Sequence, residues 1–156
     1  MDKYIVGIID DEQNAISKIR GIIKENKPED VEVDFKTYFL ENEKGISIKK
    51  LSKEILEDIK NNKINTLIID QKIIVNAGEV EGIEIFKSIK DTVDKFPVIM
   101  LTNVADECIK DDFVDPDKVY KKSDFFAIDE EKSKELVRKI FINAKKYNDN
   151  RTQIEA

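Results

Sequence analysis

One short run of residues limits the folds open to this chain more than any other: INTLIID, at residues 64–70. The run is apolar and rich in β-branched side chains, and it stops abruptly at Asp70. A run of this length, bounded by polar residues, is typical of a strand buried on both faces of a parallel sheet. Asp70 would then lie at the carboxyl edge of the sheet, where ligands bind in open α/β folds. Asp70 is therefore a candidate reactive residue.

Strand patterns of this kind alternate with helical patterns along the whole chain. Four further strands are predicted at residues 4–9, 31–35, 96–101 and 118–122. Apolar residues recur at helical spacing in five segments, at residues 15–23, 48–59, 83–89, 105–109 and 136–144. Five strands alternating with five helices predict an α/β fold with a doubly wound parallel sheet and helices on both faces. Residues 71–82, between the third strand and the third helix, are expected to form a long loop.

The composition predicts a single domain. The chain has 156 residues, a 40% hydrophobic fraction and no linker rich in Gly, Ser or Pro. We expect the domain to span residues 1–147. Residues 148–156 are predicted to be a polar C-terminal tail that frays after Tyr147.

Charge and residue types exclude several classes of function. The net charge is −6, with charges of both signs mixed along the chain, which argues against direct binding of nucleic acid or of an anionic membrane. The sequence lacks both a membrane-span pattern and a signal-peptide pattern, so a soluble, cytoplasmic protein is expected. The absence of His and the single Cys108 exclude His-based catalysis, most zinc sites and an internal disulfide.

Polar residues that can react or bind a ligand occur at the ends of four of the predicted strands. Asp10 and Asp11 follow the first strand, Asp70 ends the third, Thr102 ends the fourth and Lys122 ends the fifth. A doubly wound sheet brings these strand ends to one edge. Three neighbouring carboxylates repel one another, and Mg²⁺ is the cation that best suits such oxygen ligands.

A carboxylate beside Mg²⁺, with an ammonium and a hydroxyl group opposite, suits phosphoryl transfer to the carboxylate. In this interpretation Asp70 is the nucleophile and becomes an aspartyl phosphate. Asp10 and Asp11 hold the metal, and Asp70 is a further ligand to it. Lys122 pairs with the phosphoryl group, and Thr102 donates a hydrogen bond to it.

Five segments in order resemble a response-regulator receiver domain of two-component signalling. They are IIDDE (8–12), LIID (67–70), GIEIF (82–86), PVIMLT (97–102) and VYKK (119–122). The resemblance implies a flavodoxin-like fold with strand order 2-1-3-4-5, a requirement for Mg²⁺, and a sensor histidine kinase or histidine phosphotransfer protein as phosphate donor. It also implies that the backbone carbonyl of Lys72 is a further metal ligand.

The same resemblance implies a switch. The domain would catalyse its own phosphorylation at Asp70 and its own dephosphorylation. Phosphorylation would draw Thr102 toward the phosphoryl group and repack the surface formed by the fourth helix, fifth strand and fifth helix, which a downstream protein partner reads.

Some residues depart from the family pattern. The loop after Asp70 is longer than usual, Asn103 stands where a small residue is usual, and Ser123 stands where the family has Pro. Lys121 is an alternative to Lys122 as the phosphate-pairing lysine.

Other functions and states stay open. A pseudo-receiver that binds partners without being phosphorylated is the main alternative. A phosphatase with an aspartyl nucleophile is less favoured, because it would need an acid where Lys72 stands. The chain is either a stand-alone receiver or a fragment of a longer regulator, and the alternatives for its oligomeric state include a homodimer.

Overall fold

The computed structural model describes residues 2–10, 13–38, 48–70, 72–75, 78–93, 95–102, 119–126 and 130–155, with backbone alone at 48–49, 72–75, 78–86, 130 and 152–155. In chain order the elements are β1 (Asp2–Ile9), α1 (Gln13–Asn26), β2 (Val31–Tyr38), α2 (Ile48–Lys60), β3 (Thr66–Asp70), β4 (Lys72–Val75), β5 (Gly78–Glu81), α3 (Gly82–Thr92), β6 (Val98–Thr102), β7 (Val119–Lys121), α4 (Lys122–Phe125) and α5 (Glu130–Glu155).

Five of the strands form one parallel sheet in the order β2-β1-β3-β6-β7. Counted among the parallel strands alone, this is the predicted order 2-1-3-4-5. One side of the sheet packs against α1 and α5, and the other side packs against α2 and α3. The predicted doubly wound α/β fold is therefore confirmed, and the fourth predicted helix, at residues 105–109, lies outside the described residues.

The central strands are mainly apolar because both of their faces are covered. Ile68 belongs to the core layer under α1 and α5, whereas its neighbours Leu67 and Ile69 belong to the layer under α2 and α3. Successive side chains of a strand point to opposite faces, so a strand between two helical layers has apolar residues at consecutive positions along its middle. Every residue of β3 and of β6 is buried.

A β-hairpin follows Asp70, where the sequence predicted a loop. Strands β4 and β5 form a separate antiparallel two-stranded sheet. Its register pairs Lys72 with Glu81 and Ile73 with Val80. The prediction of a plain loop across residues 71–82 is wrong.

The last helix is longer than predicted. It continues to Glu155, so the predicted fraying after Tyr147 is wrong. The Tyr147 ring packs edge-on against Phe96, with ring centroids 5.2 Å apart. Four residues later, the Arg151 guanidinium donates hydrogen bonds of 2.9 Å to the carbonyl oxygens of Ile59 and Lys60 at the end of α2. These contacts hold the end of α5 against the rest of the domain.

None of the helices within the described ranges combines the length and the apolar composition that a membrane span requires.

Candidate functional site

The register of the sheet brings the predicted site residues to one edge. Ile9 pairs with Ile69, so Asp10 and Asp70 occupy the next positions on two neighbouring strands. On the other side of β3, Asp70 pairs with Leu101, and the next residue of β6 is Thr102. Adjacent strands lie about 4.8 Å apart. The sheet therefore collects two carboxylates and one hydroxyl group at its carboxyl edge.

These three polar side chains are almost completely buried. Asp10 is 3% exposed, Asp70 5% and Thr102 4%. A carboxylate removed from water requires a compensating cation or hydrogen-bond donors, because desolvation strongly disfavours its charged form. Two buried aspartates at neighbouring strand ends thus favour a cation at this edge.

The first compensating cation is Lys122, whose Nζ lies 2.8 Å from Oδ1 of Asp70. The Asp70 side chain is 6% exposed and the Lys122 side chain 26%. Screening by water is weak at such a site, so the attraction between the two charges is stronger than that of a surface pair. Lys121, the other lysine that the sequence left open, is exposed.

Helix α4 positions Lys122. The backbone N–H of Phe126 donates to the carbonyl of Lys122 over 2.9 Å and closes the single turn that begins there. Phe125 is fully buried, and the Ser133 hydroxyl of α5 donates to its carbonyl over 2.8 Å. The lysine therefore starts a turn that is anchored both in the core and on the final helix.

A cavity of about 230 Å³ opens beside the ion pair, and the α1 residues in its wall were not assigned from the sequence. Asp10 and Lys122 line it, together with Asn14 and Lys18. Asn14 and Lys18 are four residues apart, so they lie on the same side of α1. The only signal in the sequence was that they follow Asp10 on a helix that begins at this edge.

The remaining predicted metal ligands are only partly covered. Asp11 lies outside the described residues, and Lys72 is described by its backbone alone, as the first residue of β4. Among the side chains that the structure describes, no group of three or more potential ligands lies together. Asp10 and Asp70 nevertheless supply the buried carboxylate oxygens that Mg²⁺ prefers, and the chain has no His. The residues present fit a hard cation.

Comparison with known proteins gave matches among solved structures only. No family model matches the sequence, and no curated protein matches it. The structure of the RcsB response regulator from Salmonella typhimurium, described for its conformational dynamism in DNA interaction, is 20% identical with a TM-score of 0.57, over 89% of this chain and 61% of that one.

Two further structures contain little beyond the matched region. The isolated REC domain of RcsB from Salmonella enterica serovar Typhimurium, solved in the presence of the phosphomimetic BeF3−, is 19% identical with a TM-score of 0.51, over 79% of this chain and 83% of that one. The bacteriophytochrome response regulator AtBRR is 12% identical with a TM-score of 0.57, over 90% of this chain and 94% of that one.

The chain thus spans 61% of the first RcsB structure and 94% of AtBRR. Identities this low establish the fold and leave the chemistry to the residues of the site. The resemblance noted in the sequence is confirmed at that level: the chain has the fold of response-regulator receiver domains.

Proposed function

We propose that this chain is a phosphorylatable receiver domain that accepts a phosphoryl group on Asp70 from a sensor histidine kinase or a histidine phosphotransfer protein. The observation that carries the proposal is the 2.8 Å contact between Lys122 Nζ and Asp70 Oδ1. It occurs at the carboxyl edge of the sheet, next to the buried residues Asp10 and Thr102. This arrangement supports phosphoryl transfer to a carboxylate, because that reaction requires mainly positioning and positive charge around the phosphoryl oxygens.

In the proposed reaction a carboxylate oxygen of Asp70 attacks the phosphorus of a phosphohistidine. The bond between phosphorus and Asp70 forms as the bond between phosphorus and the histidine nitrogen breaks, and that nitrogen carries a proton as it leaves. The product is an aspartyl phosphate. Hydrolysis by water would return the carboxylate and release inorganic phosphate.

The neighbours of Asp70 have separate roles in this proposal. Lys122 pairs with the carboxylate before transfer and with a phosphoryl oxygen after it, whereas the Thr102 hydroxyl donates a hydrogen bond to another phosphoryl oxygen. Asp10, Asp11, Asp70 and the backbone carbonyl of Lys72 would hold Mg²⁺. When bound, the ion would offset the repulsion between the carboxylates and the incoming phosphoryl oxygens.

The output of the switch is proposed to pass through the surface that includes β7 and α5. The hydrogen bond between Ser133 and the carbonyl of Phe125 supports this route, since it joins α5 to the turn that begins at Lys122. A shift of Lys122 toward a phosphoryl group would therefore displace α5 through this hydrogen bond. A downstream protein, or a second copy in a homodimer, would bind this surface, and a cytoplasmic location fits both partners.

The β4–β5 hairpin favours a second candidate function. It begins two residues after Asp70, at Lys72, where the sequence predicted a plain loop. A pseudo-receiver would keep the fold and use such an added element to bind a partner without phosphorylation. The two candidates differ in whether Asp70 takes a phosphoryl group.

Titration with beryllofluoride and Mg²⁺, followed by ¹H–¹⁵N NMR, tests the proposal. We expect the amide signals of Thr102 and Lys122 to shift in the wild-type protein and to stay unchanged in Asp70→Asn. Asp58→Asn is the matched control, because Asp58 is also buried and paired with a lysine, and it should respond like the wild type. Unchanged wild-type spectra would favour the pseudo-receiver.

A further inference from the structure

A second cavity lies away from Asp70, between α2, α3 and the end of α5. Its volume is about 580 Å³, which falls within the range of small-molecule sites. The cavity is lined by residues 52–60 of α2 and by the second half of α3, and these helices lead into the starts of β3 and β6. It is therefore at the amino edge of the sheet, opposite the candidate phosphorylation site.

The wall of the cavity is mainly apolar and is built by three helices. Leu56 and Ile59 come from α2, Val93 follows α3, and Tyr147 comes from α5. The hydrogen bonds from Arg151 to the end of α2 hold α5, which forms the third side of the cavity, in place. The site is thus preformed, so a ligand would not have to order it on binding.

Ser52 provides an unsatisfied polar group in this wall. The residue is 3% exposed, and its Oγ has no hydrogen-bond partner among the residues that the structure describes. A buried hydroxyl group without a partner costs about 1–3 kcal/mol. The Oγ is covered in this structure, so the side chain must turn about its Cα–Cβ bond to another staggered rotamer to present the hydroxyl to a polar group of a ligand.

The charges around the cavity favour an anion. Lys53, Lys60 and Arg151 line it and Glu57 is the one acid among its lining residues, in a chain whose net charge is −6. Lys53 is exposed whereas its neighbour Ser52 is buried, so the ammonium group lies at the rim of the cavity and the hydroxyl group lies in its wall. This combination matches a molecule with an apolar body and one carboxylate.

We propose that this cavity binds a small amphipathic carboxylate, such as a medium-chain fatty acid. The carboxylate accepts a hydrogen bond from the Ser52 hydroxyl and pairs with Lys53. The apolar body packs against Leu56, Ile59 and Tyr147. This binding does not depend on phosphorylation of Asp70.

Isothermal titration calorimetry with decanoate, below its micelle concentration and without Mg²⁺ or phosphate donor, tests this proposal. We expect one saturable site in the wild-type protein. Lys53→Glu should weaken the affinity at least tenfold, and Ser52→Ala should weaken it severalfold. Lys134→Glu, an equal charge change at an exposed position of α5 outside the cavity, should leave the affinity within twofold.

Two results would overturn the proposal: no saturable binding of decanoate at millimolar concentration, or an equal loss of affinity in Lys53→Glu and Lys134→Glu. Ser52→Ala also separates binding from folding. Removal of an unsatisfied hydroxyl should leave the protein at least as stable toward urea while the affinity for decanoate falls. A variant that retains full affinity would contradict the role given to Ser52.

Discussion

At the scale of single residues, Gly7 is required by its neighbours in the core. A Cβ at this position in β1 would lie 2.9 Å from Cδ1 of Leu67 and 3.2 Å from Cε2 of Tyr38. Both neighbours are buried and cannot retreat without disturbing other contacts. We therefore expect Gly7→Ala to lower the free energy of unfolding by about 1–3 kcal/mol, measured by urea denaturation.

Gly21 provides the control for that substitution. It lies in α1, and a Cβ there would have none of the described atoms within 4 Å. Gly21→Ala should raise the free energy of unfolding by about 0.5–1 kcal/mol, because alanine loses less conformational freedom in a helix. Equal effects of the two substitutions would contradict the packing given for Gly7.

A second group of residues links β2 to α2 through the buried carboxylate of Asp58. Oδ2 of Asp58 accepts a hydrogen bond from Lys36 Nζ and a second one, of 2.6 Å, from the Tyr38 hydroxyl. Burial acts to raise the pKa of Asp58, but these two hydrogen bonds and the positive charges of Lys36 and Lys63 together outweigh it and hold the pKa below its ordinary value of 3.8. Burial and the hydrogen bond to Asp58 together raise the pKa of Tyr38 above its ordinary value of 10.0.

These shifts predict how stability depends on pH. The lowered pKa of Asp58 gives stability that is fully present above pH 3.8 and is lost as the pH falls through the folded-state pKa. The raised pKa of Tyr38 gives stability that is fully present below pH 10.0 and is lost above it. In urea denaturation the advantage of wild type over Asp58→Asn should shrink in acid, and its advantage over Tyr38→Phe should shrink above pH 10.0. Constant differences across pH would contradict the network.

At the scale of elements, the end of α5 acts as a brace for α2. Arg151 donates two hydrogen bonds to the last carbonyl groups of α2, where the helix dipole favours a positive charge. Arg151→Ala should lower the free energy of unfolding by about 1–3 kcal/mol. Arg138 lies on the same helix and, among the described contacts, pairs only with the exposed Glu135. Arg138→Ala should therefore change the free energy of unfolding by no more than about 0.5 kcal/mol. Similar losses in both variants, measured by urea denaturation, would contradict the brace.

Two elements differ from the sequence predictions, and in each case the sequence lacks the usual local signal. The strands β4 and β5 are only four residues long, and the sequence between Lys72 and Glu81 contains no Asn-Gly or Asp-Gly pair, the usual sequence signal of a hairpin. The end of α5 is polar in sequence, so its periodicity gives no sign of a contact. Its stability comes from Tyr147 and Arg151, which reach side chains and carbonyl groups distant in the sequence.

At the scale of the whole molecule, the sequence was sufficient for the parallel sheet. Runs such as residues 67–69 are apolar at consecutive positions because helices cover both faces, so the sequence pattern reveals the central strands. The convergence of Asp10, Asp70 and Thr102 follows from the strand order and register. The sequence predicted Lys122 at the same edge but left Lys121 as an alternative, because the choice depends on β7 ending at Lys121 and on the turn of α4 that begins next.

The central claim is that Asp70 is the residue phosphorylated in this chain. Intact-mass spectrometry after incubation with acetyl phosphate and Mg²⁺ tests it most directly. The proposal predicts a single phosphoryl adduct on the wild-type protein and on Asp58→Asn, and none on Asp70→Asn. A wild-type protein that gains no adduct, or an adduct that persists in Asp70→Asn, would contradict the assignment of Asp70 as the phosphoacceptor.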